Sequence, residues 1–373
     1  MSAATATATA PLGSLSTAAW DRLAGPRLYS TARWLAFCAM HGGAEPGAAV
    51  AYADGEPAAA MPYSALTAPP TALYRWNEVL AERGLPALRD GGLLVGPTQG
   101  YRAQLLGRGG TDALVAELRE RAGDGACVAM YATTEAALAL REAGVAAPPV
   151  LLEADASLAL PDGGWDGWLA TLPSKRRISV RREVRAFREA GCSVVRLGLT
   201  ECLEQLPPLA AATQAKYGSA APASFWESLF RLHAAGMGER AQVALCLRDG
   251  ADPLGFCLYY VHGDTLYLRW AGFDYGRLAG AAEYFNVTLY SQVMAAAGLG
   301  VRRIHIGIKS VEAKALRGAE LRPLWLVDLA SDSPLTRARG AVLRHNRAAY
   351  ERLAADGRTR GALREEAAWR ELS

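Results

Sequence analysis

The clearest alternation of apolar and polar positions lies in the last third of the chain. The runs 244–250, 253–274 and 304–308 are typical of strands, the last two being rich in β-branched and aromatic residues, and Asp-Gly and Gly-Asp pairs interrupt them as tight turns do. Apolar residues recur at helical spacing across 275–298, and Gly298 is a normal helix stop. This order of elements predicts a βαβ-like unit, in which the unpaired N–H groups of the first helical turn face a ligand.

The first half of the chain has a second α/β pattern between residues 20 and 150. An Asp-Gly pair within 47–66 predicts a hairpin, 112–123 is an amphipathic helix, and 126–132 is a buried strand. This half has no paired carboxylates, no Ser–His pair and no phosphate-loop motif. We therefore interpret it as a scaffold that supplies one wall of a cleft.

Length and composition indicate two domains. The chain has 373 residues, which is long for one compact domain, and 51% of them are hydrophobic, enough for two cores. The predicted organisation is a disordered N-terminus at 1–15, a first domain at 16–150, a second domain at 151–330 and a helical extension at 331–373. A formal net charge of +3 favours no particular partner, so only local clusters of charge are informative.

Several classes of protein are not expected. The Ala/Thr run at 2–10 lacks the basic and apolar regions of a signal peptide, and no run of about 18 apolar residues predicts a membrane span. The six cysteines are scattered without a C-x-x-C pair: Cys38, Cys127, Cys192, Cys202, Cys246 and Cys257. This pattern favours reduced thiols in a cytoplasmic protein, without disulfides and without a zinc or other metal site.

The most charged stretch is 174–191, which predicts a helix with an apolar face and a basic face. Seven positive residues contribute to it: Lys175, Arg176, Arg177, Arg181, Arg182, Arg185 and Arg188. Two interpretations remain open. The basic face is either a solvated surface or a contact for a polyanion, which is an RNA, a nucleotide or a coenzyme phosphate.

The order of motifs resembles that in the C-terminal half of proteins from the Fem-type branch of the GNAT acyltransferase superfamily. The order is a basic helix, Lys-Tyr-Gly, a strand hairpin, Gly-x-Asp, a Tyr-Phe-containing helix, a strand, and then a lysine followed by Arg-Gly. The segments concerned are 174–191, 215–218, 255–260, 268–307 and 312–325. The N-terminal runs YSTARWLAF and DGEPAAAMPYSAL extend the resemblance to nearly the whole chain.

The resemblance implies an α/β (α+β) fold of two GNAT-like domains, with mixed central sheets flanked by helices. The first domain would be degenerate and the second would hold an acyl-transfer site. Fem-type relatives move an aminoacyl group from a charged tRNA to an amine, whereas other relatives use acyl-CoA. The stretch 277–282 also fits R-x-x-G-x-A, the pyrophosphate-binding turn of the acetyl-CoA-dependent members.

Three classes of function follow. The first is an aminoacyl-tRNA-dependent aminoacyltransferase that forms an amide bond on a small-molecule amine, in natural-product biosynthesis. The second is an acyl-CoA-dependent N-acyltransferase, and the third is a non-catalytic RNA-binding or regulatory protein. The first implies aminoacyl-tRNA and an amine as partners, with no DNA, membrane or cofactor. The chain lacks a long coiled-coil arm, and the basic helical segment 334–373 either replaces it as an RNA surface or packs on the domain.

The resemblance also suggests catalytic roles. Lys314 and Arg317 would bind a terminal phosphate and stabilise the oxyanion, and Gly318 would permit the turn or a close approach. His305 would relay a proton or contact the substrate, unless it is structural. Asp274 would accept the proton of the amine, unless it only forms a turn.

Other residues would bind the substrates. Tyr267 and Arg269 are expected on one face of a strand, because strand side chains repeat every two residues. Tyr284 and Phe285 would wall the acyl pocket. The complete expected substrate-binding set is Tyr259, Tyr267, Arg269, Tyr284, Phe285, Arg317, Gly318 and Lys216. The expected tRNA- or phosphate-binding set is Arg176, Arg177, Arg181, Arg182, Arg277 and Gly280.

Overall fold

The computed structural model describes residues 6–11, 16–218, 221–250 and 252–372. The chain divides into two compact units. Unit 1 comprises Met1–Asp155 and Leu321–Ser373, and unit 2 comprises Ala156–Glu320. Each unit has a mixed sheet flanked by helices, which confirms the predicted fold class.

The strands are as follows in chain order. They are β1 (Ala6–Pro11), β2 (Ala44–Ala53), β3 (Glu56–Leu66), β4 (Gly92–Val95), β5 (Leu106–Gly107), β6 (Ala126–Thr133), β7 (Val150–Ala159), β8 (Cys192–Gly198), β9 (Gln242–Arg248), β10 (Pro253–His262), β11 (Thr265–Phe273), β12 (Arg303–Gly307) and β13 (Glu320–Asp328).

The α-helices are numbered in the same way. They are α1 (Thr17–Ala24), α2 (Ala32–Ala39), α3 (Trp76–Ala81), α4 (Thr111–Ala122), α5 (Thr134–Glu142), α6 (Gly164–Thr171), α7 (Ser174–Glu189), α8 (Leu199–Cys202), α9 (Leu206–Lys216), α10 (Ala223–Met237), α11 (Glu283–Phe285), α12 (Ser291–Ala295), α13 (Val311–Ala315), α14 (Pro334–Arg337), α15 (Arg339–Ala355) and α16 (Glu366–Glu371). A π-helix, Asn286–Tyr290, joins α11 to α12.

The sheet of unit 1 has the order β1-β2-β3-β4-β6-β13, with β5 beside β3. Its strands β4 and β6 are parallel, with 92–95 beside 126–129. Beyond that register, Ala103 forms a parallel bridge with Ala132. The Ala103 N–H donates to the Tyr131 carbonyl at 3.0 Å, and the Thr133 N–H donates to the Ala103 carbonyl at 3.2 Å. The carboxyl end of β6 is therefore paired to the segment that follows β4.

The N-terminus corrects one expectation. Residues Ala6–Pro11 form β1, which pairs antiparallel with β2, where the sequence predicted disorder across 1–15. The alternating Ala/Thr run has the period of a strand, and threonine is β-branched, so the run fits an edge position beside β2. The other residues of that prediction, 1–5 and 12–15, lie outside the described part of the chain.

The sheet of unit 2 contains the end of β7 followed by β12, β11, β10, β9 and β8. All of these neighbours are antiparallel except β11 and β12, which are parallel. The core contains Trp168 of α6, Val180 and Phe187 of α7, and Ile304 of β12. As predicted, α7 buries its apolar face in this core and turns most of its arginines outward.

The predicted helix at 275–298 is shorter than expected. Helical structure begins only at Glu283, and the residues between β11 and Glu283 form a loop. Gly280 has φ +73° and Ala282 has φ +56°, so the backbone is left-handed immediately before the helix. A right-handed helix cannot extend through such residues, and it therefore starts after them.

Candidate active site

The parallel pair of the unit 2 sheet, β11 and β12, stops pairing before either strand ends. Register pairs between β11 and β12 join 265–267 to 303–305, although β11 continues to Phe273 and β12 continues to Gly307. Leu268, Arg269, Trp270 and Ala271 are half-buried, whereas the residues on both sides of this segment are buried. We call the opening between the two strand ends the wedge. Ligands of open α/β sheets bind at the carboxyl ends of parallel strands, so the wedge is the candidate site.

One backbone N–H group of β11 points into the wedge. The Phe273 N–H donates to Thr213 Oγ1 of α9 at 2.7 Å, so it faces away from β10. Ala271 lies two residues earlier and pairs with Cys257 in the same ladder, in which Phe273 pairs with Gly255. Alternate residues of a strand direct their backbone groups to the same side. The Ala271 N–H therefore faces away from β10, on the side of the wedge.

The crossover from β11 to β12 contains the π-helix. Asn286, Val287, Thr288, Leu289 and Tyr290 are all buried. Arg196 of β8 donates to Gln292 Oε1 at 2.9 Å and to the Ser291 carbonyl at 2.6 Å, while Gln292 donates to the Val287 carbonyl at 3.0 Å. These bonds stabilise the wide helical turn, a feature that is frequent at functional sites.

Arg317 lies in a buried cluster with Glu183 and Tyr290. It is 7% exposed, and it donates through Nε to the Tyr290 hydroxyl at 2.7 Å and through Nη2 to Glu183 Oε2 at 3.0 Å. Its Nη1 donates to the Ala313 carbonyl at 3.1 Å, and its guanidinium lies 3.3 Å from the centre of the Phe285 ring. Arg317 therefore connects α7, the π-helix and α13.

The Glu183 carboxylate is ionised in this cluster. Burial alone would raise the pKa of Glu183, but the hydrogen bond from Tyr290 and the charge of Arg317 outweigh that effect, so the pKa lies below its ordinary value. Ser179 donates to the other carboxylate oxygen, Oε1, at 3.0 Å. The pair is therefore intact at neutral pH and holds the basic helix α7 to the helix of the wedge.

Lys314 is also buried, at 6% exposure, and its ammonium group contacts the backbone that leaves β12. Nζ donates to the carbonyls of Ile306, Gly307 and Ile308 at 3.0, 2.9 and 2.9 Å. The loop that follows contains Lys309 at φ +70° and Ser310 at φ +49°, two non-glycine residues in left-handed conformations that cost energy. Lys314 thus stabilises a strained loop beside the wedge, and Gly318 has φ +84°, a left-handed conformation that favours glycine.

The turn that matches R-x-x-G-x-A contains a carboxylate of the chain itself. Glu283 is 2% exposed, and its Oε1 accepts a hydrogen bond from the Ala279 N–H at 2.6 Å. Arg248 Nη2 lies 4.0 Å from the same oxygen and donates to the Arg277 carbonyl at 2.8 Å. Gly280 is exposed at the tip of this turn. An anionic group therefore already binds where a pyrophosphate-binding turn would offer its N–H group.

The basic face of α7 is exposed except at Arg176 and Arg177. Arg181, Arg182, Arg185 and Arg188 are exposed, and Arg176 is half-buried. Arg177 instead donates to the carbonyls of Ala170 and Leu172 at 3.3 and 3.2 Å, which ties α7 to the end of α6. The expected phosphate-binding arginines therefore differ in accessibility, and 181 and 182 are the accessible pair.

Asp274 and Lys216 lie at the carboxyl end of β11. Asp274 accepts the Gly276 N–H at 3.1 Å, which is the geometry of a turn former. Lys216, at the end of α9, is exposed, and its ammonium lies 3.6 Å from the centre of the Tyr275 ring. Tyr284 is 39% exposed, and Phe285 contacts its ring at 5.2 Å between centroids.

The remaining predicted residues lie on opposite faces of the sheet. Tyr259 accepts a hydrogen bond from Arg196 at 3.2 Å and so faces the crossover helix. Tyr267 pairs with Tyr260, whose hydroxyl contacts His233 of α10, and therefore faces the other side. His305 is fully buried beside Tyr267, with ring centroids 5.5 Å apart. The structure does not bring Tyr259 together with Tyr267 and His305.

A β-bulge at Arg269 interrupts the alternation of side chains between the two faces of β11. The ladder between β10 and β11 pairs Leu258 with Trp270 and Tyr259 with Leu268, so Arg269 is the extra residue. The period of two is interrupted there, and a shared face with Tyr267 does not follow from spacing. Its guanidinium lies 4.8 Å from the centre of the Trp270 ring.

Several residues of the site were not predicted from the sequence. In the sequence, Glu183 is only one of two acidic residues in a basic helix. Tyr290 and Arg196 belong to no motif that indicates a role in the site. Glu283 offered one usable signal, because an acidic residue immediately after R-x-x-G-x-A opposes an anionic ligand. Within the residues that the structure describes, no group of histidine, cysteine, aspartate and glutamate side chains could hold a metal ion.

The helices give one further result. Across the described ranges, no helix combines the length and the apolar character needed to cross a bilayer.

Comparisons with known proteins identify the domain that contains this site. Residues 174–320 match the family model described as "Acetyltransferase (GNAT) domain". A search of curated proteins gave no match.

Solved structures extend the likeness to most of the chain. FemX is 12% identical over 87% of this chain and 98% of its own, with a TM-score of 0.60. A conserved protein of unknown function from Bacteroides thetaiotaomicron VPI-5482 is 14% identical over 80% and 90%, with a TM-score of 0.53. A tandem GNAT protein from the clavulanic acid biosynthesis pathway is 15% identical over 88% and 100%, with a TM-score of 0.50. These identities show the fold alone. With the family model, they show a GNAT acetyltransferase domain at residues 174–320 and, over most of the chain, a fold similar to that of FemX.

Proposed function

We propose that this chain transfers an aminoacyl group from a charged tRNA to the amine of a small molecule, forming an amide in natural-product biosynthesis in the cytoplasm. The observation that carries the choice of donor is the Glu283 carboxylate on the Ala279 N–H. A CoA pyrophosphate would meet a buried negative charge at that turn. An aminoacyl-tRNA has no pyrophosphate that must bind at this turn, so the Glu283 carboxylate does not repel it.

The exposed arginines of α7 support a polyanionic donor. Arg181 and Arg182 face solvent on a helix whose position is fixed by the Glu183–Arg317 ion pair. An RNA backbone that neutralises such residues gains affinity through the release of counterions, and this gain falls as salt rises. The helix is thereby a rigid contact surface, since its inner face is held in the core.

The wedge supports the chemistry of the transfer. The neutral amine attacks the ester carbonyl carbon, a C–N bond forms, and the C–O bond to the terminal ribose breaks. The amine loses a proton, and the ribose hydroxyl leaves with one. The Ala271 N–H faces the wedge and would donate to the oxygen that becomes negative. Asp274, at the end of β11, remains the proposed acceptor of the proton, directly or through water.

Binding measurements test this proposal. Charged tRNA and acetyl-CoA are titrated separately into the wild type and into Arg181→Ala/Arg182→Ala over a series of salt concentrations. We expect salt-dependent binding of tRNA, and we expect the double variant to lower the slope of log K against log salt by about one to two, since each phosphate contact contributes about 0.7 to 0.9. Formation of an amide from charged tRNA and an amine, followed by mass spectrometry, tests the transfer directly.

A matched double variant controls for charge. Arg231 and Arg302 are exposed arginines of unit 2 outside α7, at 59% and 67% side-chain exposure. Replacing both with alanine removes the same charge and should leave the slope unchanged. Tight acetyl-CoA binding by the wild type, with tRNA bound no better than random RNA, would overturn the proposal.

A further inference from the structure

An exposed group of tyrosines surrounds a lysine at the mouth of the wedge. Tyr217 is 71% exposed and Tyr284 is 39% exposed, which places both among the exposed large hydrophobic residues of the described chain. The Lys216 ammonium lies 3.6 Å from the centre of the Tyr275 ring and 6.0 Å from that of Tyr217. We call Lys216, Tyr217, Tyr275 and Tyr284 the tyrosine platform.

The platform is anchored to the end of β11. Phe273 is the last residue of β11, and its ring centroid lies 6.4 Å from that of Tyr275 and 5.5 Å from that of Tyr284. Thr213, one turn before Lys216 on α9, accepts the Phe273 N–H. The rings are thus fixed at the open end of the wedge, about two residues beyond the Ala271 N–H.

The platform is also continuous with the interior of unit 2. The Tyr284 and Phe285 rings contact each other edge-on, with centroids 5.2 Å apart. The Arg317 guanidinium lies 3.3 Å from the centre of the Phe285 ring. The aromatic faces therefore run from a solvent-exposed tyrosine to the buried cluster that positions α7. Their geometry is set by packing rather than by solvent.

We propose that the tyrosine platform binds the unpaired 3′-terminal nucleotides of the donor RNA, with bases stacked on Tyr217 and Tyr284 and a phosphate beside Lys216. This inference rests on the proposed function. Aromatic faces interleaved with a cation are the surface that binds single-stranded nucleic acid, because every base has a face that stacks. Duplex RNA offers no exposed base faces, so the platform would distinguish the unpaired end from the helical arm. Exposed arginines of α7 would contact the duplex instead.

Two RNA hairpins test the assignment. One has a duplex stem followed by an unpaired 3′ CCA end, and the other has the same stem with a blunt end. We expect the wild type to prefer the first, and Tyr217→Ala to reduce that preference by about fivefold or more, since stacking contributes about 1 to 3 kcal/mol per base. Tyr217→Phe keeps the ring and should keep the preference. Tyr284→Leu should weaken it independently.

The controls separate this inference from the proposed function. Arg181→Ala/Arg182→Ala should weaken both hairpins alike and leave their ratio unchanged. Leu299→Ala, which removes an exposed apolar side chain at the far end of the crossover, should change neither. If the unpaired end is preferred but Tyr217→Ala has no effect, the platform assignment is wrong while tRNA use stands. If the wild type shows no preference for the unpaired end, both the platform and the tRNA donor are contradicted.

Discussion

Glu283 is the residue on which the proposed choice between the two donor classes rests. Its carboxylate is buried, accepts a hydrogen bond from the Ala279 N–H and lies 4.0 Å from Arg248. The turn before the crossover helix is therefore already in contact with a carboxylate of the chain. The acidic side chain is stabilised at a helix start by the partial positive charge of the free N–H groups. One carboxylate of the chain therefore accepts a backbone N–H of the turn that matches R-x-x-G-x-A.

Removing that charge should allow CoA to bind. Glu283→Gln retains an oxygen for the Ala279 N–H but removes the negative charge, and we expect its affinity for CoA to rise by about tenfold, or about 1.4 kcal/mol. Calorimetric titration with CoA measures the change, and a thermal melt establishes that the variant folds. Glu312→Gln, a half-buried carboxylate of the same unit, is the matched control. A folded variant with no gain in CoA affinity would show that another feature excludes the cofactor.

At the residue scale, the sequence predicted which segments hold the candidate residues but not the surroundings of each side chain. Lys314 and Arg317 were assigned to the substrate because lysine and Arg-Gly follow the last strand of the motif. The structure buries both, and the partner of Arg317 is Glu183, 134 positions away. Burial and long-range partners depend on the folded chain, so neither was accessible from local pattern. The roles of Asp274 and His305 in the reaction stay predictions.

At the scale of elements, the strained loop after β12 depends on one ammonium group. Lys314 donates to three successive carbonyls, and the loop contains left-handed residues at 309 and 310. Local patterns predicted the hairpin of β10 and β11 and the basic helix α7 well, because turn pairs and helical spacing are short-range signals. They did not predict β8, a half-exposed edge strand without clear alternation, or the π-helix, which is stabilised by Arg196 from that strand.

Replacing Lys314 should therefore lower stability. In Lys314→Met the side-chain volume is kept, but three carbonyls, two of them in buried bonds, lose their donor, and we expect a loss of about 2 kcal/mol in the free energy of unfolding. Chemical denaturation followed by fluorescence measures it, and the exposed Lys175→Met is the control. Unchanged stability together with a loss of transfer activity would instead assign Lys314 to the substrate.

At the scale of the whole chain, the two units differ in how their parallel strands end. In unit 2 the pairing of β11 and β12 stops at 267 and 305, whereas in unit 1 Ala103 extends the pairing of β6 to Ala132. Unit 1 therefore has backbone partners in the position where unit 2 has the wedge. The expectation of a degenerate first domain gains a physical explanation from this bridge.

The stoichiometry of donor binding should follow from this difference. We expect one charged tRNA per chain, measured by titration with an amide-linked, non-reactive aminoacyl-tRNA at protein concentrations far above the dissociation constant. Arg181→Ala/Arg182→Ala should weaken that single binding event. Two equivalents of tRNA per chain would mean that unit 1 also binds the donor.

The Ala271 N–H has a consequence for how this site can vary. The donor that faces the wedge belongs to the main chain, and its direction is set by where two strands stop pairing. Every residue except proline carries the same group, so the side chain at that position is free to change while the donor is retained. A survey of side chains, whether by substitution to alanine or by sequence comparison, would therefore pass over the group closest to the proposed reaction. The position of this donor depends on the register of the strands and not on the identity of one side chain. This helps to explain how a chain only 12% identical to FemX has a similar fold.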